Sequence, residues 1–367
     1  MQSVAAHINT KTQHITSVEV GVVGAGQAGL ATGYYLKQRG VSFIILDEND
    51  AVGASWTKRW DSLRLFTPAK YSGLPGYPFP GDPYALPHKD DVAAYFAAYA
   101  QRFDLPIQLN TKVQQIKHDG SAYQIETNRG MIQVQQVVIA SGTFHTPAIP
   151  AITHALSPSI QQIHSSAYLN PAQIQGERVL VVGAGSSGAQ IALELTHTHQ
   201  VFLAGRDPGS NPRKILGKDL FWWFYTTGLA RLSRESWIGQ RLLSSDERAD
   251  ARVDVSRKAI LAAGIEWLPR VTGAVEGQPQ FEDGRVVPVD AVIWATGFRA
   301  DYSWIDDLPV DEKGYPRHYR GMVWDHPGLY FVGLKLQHRA NSHLIGGVGE
   351  DAEYVVSSIE QKLHESA

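Results

Sequence analysis

Two glycine-rich segments of this chain share the spacing G-x-G-x-x-G. The first is Gly24-Ala25-Gly26-Gln27-Ala28-Gly29, after the apolar run Val18–Val23, and the second is Gly183-Ala184-Gly185-Ser186-Ser187-Gly188, after Val179–Val182. Between a strand and a helix, such glycines allow a tight turn, let the backbone approach a pyrophosphate, and let the helix pack closely. The two copies predict two dinucleotide sites, an arrangement typical of proteins that pass electrons between two cofactors.

Each unit also has a charged residue where the ribose of a dinucleotide should lie. Asp47 follows the second strand of the first unit, and Glu48 is the neighbouring candidate for binding the ribose hydroxyls. The equivalent position of the second unit is Arg206, and a guanidinium binds the 2′-phosphate that a carboxylate would repel. The second site is therefore predicted to prefer NADPH to NADH, although a solvated strand-end arginine stays the alternative. Arg213 and Lys214 could add positive charge.

The composition narrows the classes of function. The chain has 367 residues, so two domains are the default expectation. It has no cysteine, which excludes disulfides, thiolate metal sites and a C-x-x-C redox centre, and the histidines give no metal-ligand pattern, so no metal is expected. A net charge of −3 gives no indication of a nucleic-acid partner. The polar start Met1–Glu19 and the absence of a long apolar run predict no signal peptide, no membrane span and a cytoplasmic, soluble protein.

Continuous apolar runs predict parallel strands covered on both faces. Val18–Val23, Val41–Leu46, Val179–Val182 and Gln200–Ala204 are such runs, and Ala28–Arg39 has helical spacing. Further predictions are a polar extension over residues 1–17, a loop over 52–90, a helix at Asp90–Phe103, strands at Lys112–Ile116, Tyr123–Thr127, Val134–Ile139, Ala291–Ala295 and Gly328–Val332, and a closing helix within Gly346–Lys362. The fold class is therefore α/β with two Rossmann-like domains.

Other short motifs occur around the two fingerprints. They are Gly53-Ala54-Ser55-Trp56, Ala140-Ser141-Gly142-Thr143-Phe144, His164-Ser165-Ser166-Ala167-Tyr168 and Ala295-Thr296-Gly297-Phe298. In this order, over residues 18–362, the chain resembles the class B flavin monooxygenases, which include flavin-containing monooxygenases, plant YUCCA enzymes and bacterial CzcO-like flavoproteins. The stretches 203–207 and 215–219 look most like the CzcO-like group.

The resemblance implies an FAD-binding domain formed by residues 1–150 and 291–367, with an NADPH-binding domain, residues 151–290, inserted between its halves. It implies that NADPH reduces the flavin, which then binds oxygen as a peroxide and oxygenates a sulfide, an amine or a ketone. The Ala-Ser-Gly and Ala-Thr-Gly segments are the implied hinges. The alternatives are an NADPH-dependent reductase or oxidase that passes electrons to a partner, a quinone or oxygen, and a non-catalytic redox sensor. The partners would be oxygen and a small-molecule substrate.

The resemblance also gives candidate site residues. Phe66, Trp56 and Tyr168 are the catalytic candidates. The cofactor-binding candidates are Gly24, Gly26, Gln27, Ala28, Gly29, Asp47, Glu48, Ser55, Trp56, Leu65, Val113, Ala140, Gly142, Gly183, Gly185, Ser186, Ser187, Gly188, Arg206, Ala295, Thr296, Gly297, Gly333, Ser342 and Leu344.

The chain departs from the family pattern at three positions. Pro158 and Ile160 replace a phenylalanine and a glycine of the family signature, and Phe66 occupies a place where family members often carry an asparagine. Loss of that amide predicts that the enzyme leaks hydrogen peroxide.

An aromatic insertion, residues 211–256, enlarges the second unit and contains Phe221-Trp222-Trp223-Phe224-Tyr225 and Trp237. We consider four hypotheses for the insertion: core packing over the second domain, a substrate entrance, a face for a homodimer and a membrane-surface contact.

Overall fold

The computed structural model describes residues 16–143, 146–242 and 251–366. Most of the predicted polar extension, the phenylalanine at position 144 and part of the aromatic insertion lie outside these residues. Within them, no helix combines the length and the apolar character needed to cross a bilayer.

The first part of the chain alternates strands and helices and then forms a meander. Its elements are β1 (Thr16–Val23), α1 (Gln27–Gln38), β2 (Phe43–Leu46), α2 (Ala54–Thr57), α3 (Lys89–Arg102), β3 (Ile107–Gln108), β4 (Val113–His118), β5 (Tyr123–Thr127) and β6 (Gly130–Ile139). The segment predicted as a loop contains α2, a 3-10 turn at Ala69–Tyr71 and two isolated bridges, and α3 begins at its end.

The remaining elements build a second sheet and then return to the first. They are β7 (Thr146–Pro147), β8 (Gln161–His164), β9 (Arg178–Val182), α4 (Ser186–Leu195), β10 (Gln200–Ala204), β11 (Ser210–Asn211), β12 (Lys214–Ile215), β13 (Lys218–Asp219), α5 (Leu220–Thr226), α6 (Trp237–Leu242), β14 (Arg252–Val253), α7 (Arg257–Ala262), β15 (Glu266–Leu268), β16 (Val271–Val275), β17 (Gln278–Phe281), β18 (Ala291–Trp294), β19 (Phe298–Arg299), β20 (Leu329–Phe331) and α8 (Val348–Ser366). Further 3-10 turns lie at Ala151–Ala155, Pro171–Gln173 and Leu229–Arg231.

The first unit is built on a seven-stranded sheet with the order β3-β2-β1-β6-β5-β4, in which β20 also pairs with β6. The strand β6 is long enough to pair with β1 along one edge and with β5 and then β20 along the other. α1 and α8 pack on one face of this sheet. The closing helix buries a stripe at helical spacing, formed by Val348, Ala352, Val355, Val356 and Ile359.

The second unit is built on a five-stranded parallel sheet with the order β15-β10-β9-β18-β8. Its three central strands, β10, β9 and β18, are buried on both faces, which explains their continuous apolar runs. In both units the strand before the glycine loop lies between the strand of the next βα unit and a parallel strand that ends in an Ala-Ser-Gly or Ala-Thr-Gly segment. The two units therefore share one local plan, as the two fingerprints predicted.

The strand β18 corrects the boundary that the sequence placed at residue 291. Its residues Ala291–Trp294 pair with β9 and β8, so they belong to the second sheet and not to the first. The chain leaves the second unit only after Trp294. Its return path, β19, pairs antiparallel with β7, which is the outgoing path. The two crossings between the units thus form one short two-stranded ribbon.

Candidate functional site

The first glycine loop connects β1 to α1 in a conformation that its glycines make possible. Gly24 has a φ of +103°, and a side chain there would lie 2.7 Å from the carbonyl oxygen of Ala140. A side chain at Gly29 would overlap the carbonyl oxygen of Gly24, so this glycine lets the helix approach the strand. At Gly26 no protein atom lies within 4 Å of the position that a Cβ would occupy. The space above Gly26 is therefore a cradle that a side chain would fill.

The second glycine loop repeats this geometry between β9 and α4. Gly183 has a φ of +112°, and a side chain on it would overlap the carbonyl oxygen of Ala295. A side chain on Gly188 would overlap the carbonyl oxygen of Gly183, whereas Gly185 faces open space. In both units, therefore, the first glycine permits the turn, the second borders open space and the third lets the helix approach the strand.

Both loops lead into a helix whose N-terminus is open to an anion. α1 begins after Gly26 and α4 after Gly185, and neither helix has a side-chain cap or an acidic residue in its first turn. Among the candidates in these first turns are Gln27 and Ala28 in α1 and Ser186 and Ser187 in α4. The free backbone N–H groups and the helix dipole at such an end favour a phosphate. The residues present fit one dinucleotide pyrophosphate at each loop.

Asp47 lies at the first glycine loop, and Glu48 does not. One carboxylate oxygen of Asp47 accepts a hydrogen bond from the backbone N–H of Ala25 at 2.6 Å, and the other accepts two from Asn49 at 2.8 and 2.9 Å. Glu48 is exposed and lies 3.8 Å from the ammonium group of Lys112. Of the two acidic candidates, the structure therefore brings only Asp47 to the loop.

In the second unit, Arg206 follows β10 and is exposed. Among the described residues it has no ion-pair or hydrogen-bond partner. Arg213 differs, because it lies 3.5 Å from Asp219 and 3.8 Å from Asp254 and donates a 2.7 Å hydrogen bond to the carbonyl oxygen of Phe66. Arg206 is thus free to bind a phosphate, whereas the charge of Arg213 is used within the fold.

Sequence reasoning missed Arg252, which is 1% exposed and holds the second glycine loop. Its guanidinium donates to the carbonyl oxygen of Ala184 at 2.7 Å and to the carboxylate of Asp207 at 2.9 Å, and it lies 5.2 Å from the ring centroid of Trp267. Burial acts to raise the pKa of Asp207, but hydrogen bonds from Gly209 and Arg252 outweigh it and lower that pKa. No spacing in the sequence indicates this contact, because the arginine lies near the end of the insertion and is 68 residues away from Ala184.

The Ala-Ser-Gly and Ala-Thr-Gly segments lie at the crossings between the units. Tyr302 donates a 3.0 Å hydrogen bond to the carbonyl oxygen of Gly142, and Thr296 donates a 2.6 Å bond to that of Ala148. His164 lies with Nε2 3.0 Å from the carbonyl oxygen of Gly297. These contacts fix both crossings beside the glycine loops.

Comparisons with known proteins agree with this geometry. The profile of the pyridine nucleotide-disulphide oxidoreductase family matches residues 22–219. An uncharacterized CzcO-like oxidoreductase of Geobacillus kaustophilus is 44% identical over 351 residues, which cover 95% of this chain and 99% of that protein.

The chain belongs to the pyridine nucleotide-disulphide oxidoreductase family.

Further relatives of this oxidoreductase are named as monooxygenases. A probable indole-3-pyruvate monooxygenase of Arabidopsis thaliana, YUCCA3, is 29% identical and covers 85% of this chain and 81% of its own. The flavin-containing monooxygenase from Stenotrophomonas maltophilia matches with a TM-score of 0.80 and 28% identity over 95% of this chain and 100% of that chain. The predicted resemblance, the α/β fold and the class of enzyme are confirmed. The name of the family contains a pyridine nucleotide and that of the Stenotrophomonas maltophilia enzyme a flavin, in agreement with the predicted cofactors FAD and NADPH.

Two of the three catalytic candidates lie on the segment around α2, residues 53–66, that leaves the first unit. Trp56 is half-buried and packs against the core of the first unit. Phe66 is 37% exposed, and its ring stacks on that of Phe221 with centroids 6.0 Å apart. Phe66 therefore faces the insertion, whereas Trp56 packs on the first unit.

The position of Tyr168 does not agree with its predicted catalytic role. It is fully buried in the core of the second unit, and its hydroxyl donates a 2.7 Å hydrogen bond to Glu194. Burial, followed by the effect of Glu194, raises its pKa far above the usual range. A hydroxyl that is enclosed and paired in this way cannot contact a substrate, so the predicted catalytic role of Tyr168 is wrong.

The C-terminal candidates pack beside the first glycine loop. Gly333 has a φ of +90°, and a side chain there would lie 2.8 Å from Cβ of Ala28. Gln27 donates a 3.4 Å hydrogen bond to the carbonyl oxygen of His343, next to the half-buried Leu344. Ser342 is buried, and its hydroxyl accepts from the backbone N–H of Arg339 at 2.9 Å.

Three other cofactor-binding candidates lie against the core of the first unit or at its surface. Leu65 is half-buried against the first core, and Val113 begins β4 and packs beneath the sheet. Ser55 is exposed, and its carbonyl oxygen accepts from Arg59.

The described part of the aromatic insertion reaches across to the first unit. Tyr225 stacks on Tyr71 with centroids 4.6 Å apart and planes 10° apart. Arg231 forms a 2.9 Å ion pair with Glu350 at the start of α8. The insertion is thus more than packing over the second domain, because it covers the segment around Phe66 and the C-terminal candidates.

Proposed function

We propose that this oxidoreductase is an FAD-dependent, NADPH-reduced monooxygenase that oxygenates a small soft nucleophile, a sulfide or an amine, or a ketone. The observation that carries the proposal is the match to the Stenotrophomonas maltophilia flavin-containing monooxygenase over the whole of that chain. The two open glycine cradles support it, because each fits one dinucleotide.

We infer that FAD binds the first unit and NADPH the second. The loop of Gly24 to Gly29 would hold the FAD pyrophosphate, with Asp47 beside its ribose. The loop of Gly183 to Gly188 would hold the NADPH pyrophosphate, with Arg206 at the 2′-phosphate. Bound there, the flavin supplies two-electron redox chemistry with NADPH as reductant and molecular oxygen as oxidant.

The protein's own residues would orient the two rings and exclude water. Phe66 stacks on Phe221, and Tyr71 stacks on Tyr225, so aromatic surfaces of the two units meet over the junction. Excluding water would protect the reacting centre from side reactions. An aromatic ring at Phe66 offers no conventional hydrogen-bond donor, so we infer that part of the oxygen is released as hydrogen peroxide.

Phe66→Asn tests this inference. An amide can donate a hydrogen bond that the phenyl ring cannot, so the variant is expected to release less hydrogen peroxide per NADPH oxidised. Phe66→Leu is the matched control, since it removes the stacking on Phe221 without adding a donor. If the two variants release equal amounts, or if the unmodified enzyme couples every NADPH to product, the inference about Phe66 fails.

The alternative is an NADPH-dependent reductase or oxidase that transfers electrons without oxygenating a substrate. The same phenylalanine favours it, because a site without a hydrogen-bond donor at this position would favour the release of hydrogen peroxide. A screen of sulfides, amines and ketones, with NADPH consumption, oxygenated product and hydrogen peroxide measured in parallel, separates the two. Oxygenated product supports the monooxygenase, whereas peroxide alone with every compound supports the oxidase.

A further inference from the structure

Arg59 lies on a part of the first unit that is embedded in the second. Its neighbour Trp60 is 6% exposed and belongs to the core cluster of the second unit, together with Ala184 of the second glycine loop. The next residue, Asp61, accepts a 2.8 Å hydrogen bond from Asn170 through its carboxylate. Arg59 is therefore held at the junction of the two units.

The guanidinium of Arg59 has no counter-charge in the part of the chain that the structure describes. Its Nε donates a 3.2 Å hydrogen bond to the carbonyl oxygen of Ser55, and its central carbon lies 5.7 Å from the ring centroid of Phe298. Arg213 and Arg252, two other arginines near this junction, are each paired with a carboxylate. A half-buried cation without a counter-charge is costly unless an anion joins it.

The position of Arg59 points to the second glycine loop. Phe298, over which its guanidinium lies, follows Thr296 and Gly297 directly, and a side chain on Gly183 would lie 3.4 Å from the backbone nitrogen of Thr296. His164 contacts Gly297, and burial is the main cause that lowers its pKa. The nearby charge of Arg59 lowers this pKa further. The arginine thus lies next to the segment that touches the first glycine of this loop.

We propose that Arg59 binds the nicotinamide-side phosphate of NADPH, so that the first unit supplies a cation to the nucleotide of the second. The nicotinamide must approach the flavin, so the nicotinamide half of NADPH is the half that comes near the first unit. The adenosine half belongs with Arg206 at the end of β10. A guanidinium matches a phosphate through paired, charge-assisted hydrogen bonds. This role adds a second cationic contact, independent of the 2′-phosphate, and it rests on the proposed binding of NADPH to the second unit.

Two ligands distinguish this role from that of Arg206. NADP⁺ carries the nicotinamide-side phosphate, whereas adenosine 2′,5′-bisphosphate lacks it and keeps the 2′-phosphate. Binding of each ligand to the FAD-loaded protein can be measured by titration calorimetry. The result does not depend on oxygenation, so it stands or falls separately from the proposed monooxygenase activity.

Arg59→Gln is expected to weaken NADP⁺ binding roughly tenfold to a hundredfold and to leave adenosine 2′,5′-bisphosphate binding unchanged. Arg206→Ala should weaken both ligands, and Arg64→Ala, an exposed arginine on the same segment, should weaken neither. Arg59→Lys keeps the charge and should fall between the unmodified protein and Arg59→Gln. Unchanged NADP⁺ binding in Arg59→Gln, or equal weakening of both ligands, would overturn the proposal.

Discussion

At the scale of single residues, the three glycines of each fingerprint have different physical reasons to be glycine. Gly24 and Gly29 are required by the protein itself, because a side chain would meet the backbone of Ala140 or of Gly24. Gly26 is required only by a ligand, because the space beside it is open. The sequence predicts the motif, and the structure shows which glycines the fold requires and which one a ligand requires.

Gly26→Val should therefore leave the folding of the apoprotein nearly unchanged and abolish FAD binding. Gly29→Ala should destabilise the protein itself, by at least about 1–3 kcal/mol, because its methyl group overlaps a carbonyl oxygen. Thermal unfolding of the apoproteins and flavin absorbance after reconstitution measure the two effects. A Gly26→Val protein that takes up FAD normally would refute the assignment of the first loop.

Arg206 tests the preference for NADPH. A charge-assisted contact to phosphate contributes roughly 1.5–3 kcal/mol, or about 10- to 150-fold in affinity. Arg206→Ala should raise the KM for NADPH and leave that for NADH nearly unchanged, and Lys214→Ala, which removes another exposed cation, should change neither by much. Equal use of NADPH and NADH by the unmodified enzyme would contradict the role given to Arg206.

At the scale of elements, the ribbon of β7 and β19 is one of the connections between the units, and His164 is fixed against it. Besides its contact with Gly297, the imidazole lies 2.9 Å from the hydroxyl of Ser166 through Nδ1, and its ring centroid lies 5.1 Å from that of Phe298. Burial lowers the pKa of His164, an effect that outweighs the hydrogen bond to Gly297. The neutral imidazole is thus part of the folded crossing.

Acid should therefore weaken this crossing. Because the folded state lowers the pKa of His164 below its ordinary value of about 6.5, the stabilisation is complete above that pH and is lost as the pH falls below it. His164→Gln keeps a hydrogen-bonding group and should lose less stability between about pH 6.5 and pH 5 than the unmodified protein does. Chemical denaturation at several pH values measures this, with the exposed His197→Gln as control. An unchanged pH dependence in His164→Gln would rule the contribution out.

Local patterns predicted the elements well but not their partners. Strands such as Tyr123–Thr127 and Gln200–Ala204 lie where their apolar runs predicted them. The boundary at residue 291 was wrong because an apolar strand carries no mark of which sheet it joins. Tyr168 was misassigned and Arg252 was missed for the same reason, since burial against Glu194 or Ala184 depends on contacts distant in sequence.

At the scale of the whole molecule, the two units share a plan and meet through three connections. These are the β7–β19 ribbon, the segment from Arg59 to Phe66 and the aromatic insertion. Each brings residues of one unit to the glycine loop or the aromatic surface of the other. A dinucleotide at each loop could thus meet the other at a junction enclosed by protein. The homodimer and the cytoplasmic location stay predictions.

We propose that electrons from NADPH drive the transfer of one oxygen atom from O₂ to a substrate on this chain. The most direct measurement uses the FAD-loaded protein with NADPH, methyl phenyl sulfide and isotopically labelled ¹⁸O₂, followed by mass spectrometry of the sulfoxide. We expect a sulfoxide that carries ¹⁸O and forms only with NADPH. It should still form with catalase present and be absent with Gly26→Val. The monooxygenase proposal would be contradicted if NADPH oxidation yielded only hydrogen peroxide with this sulfide and with every amine and ketone tested.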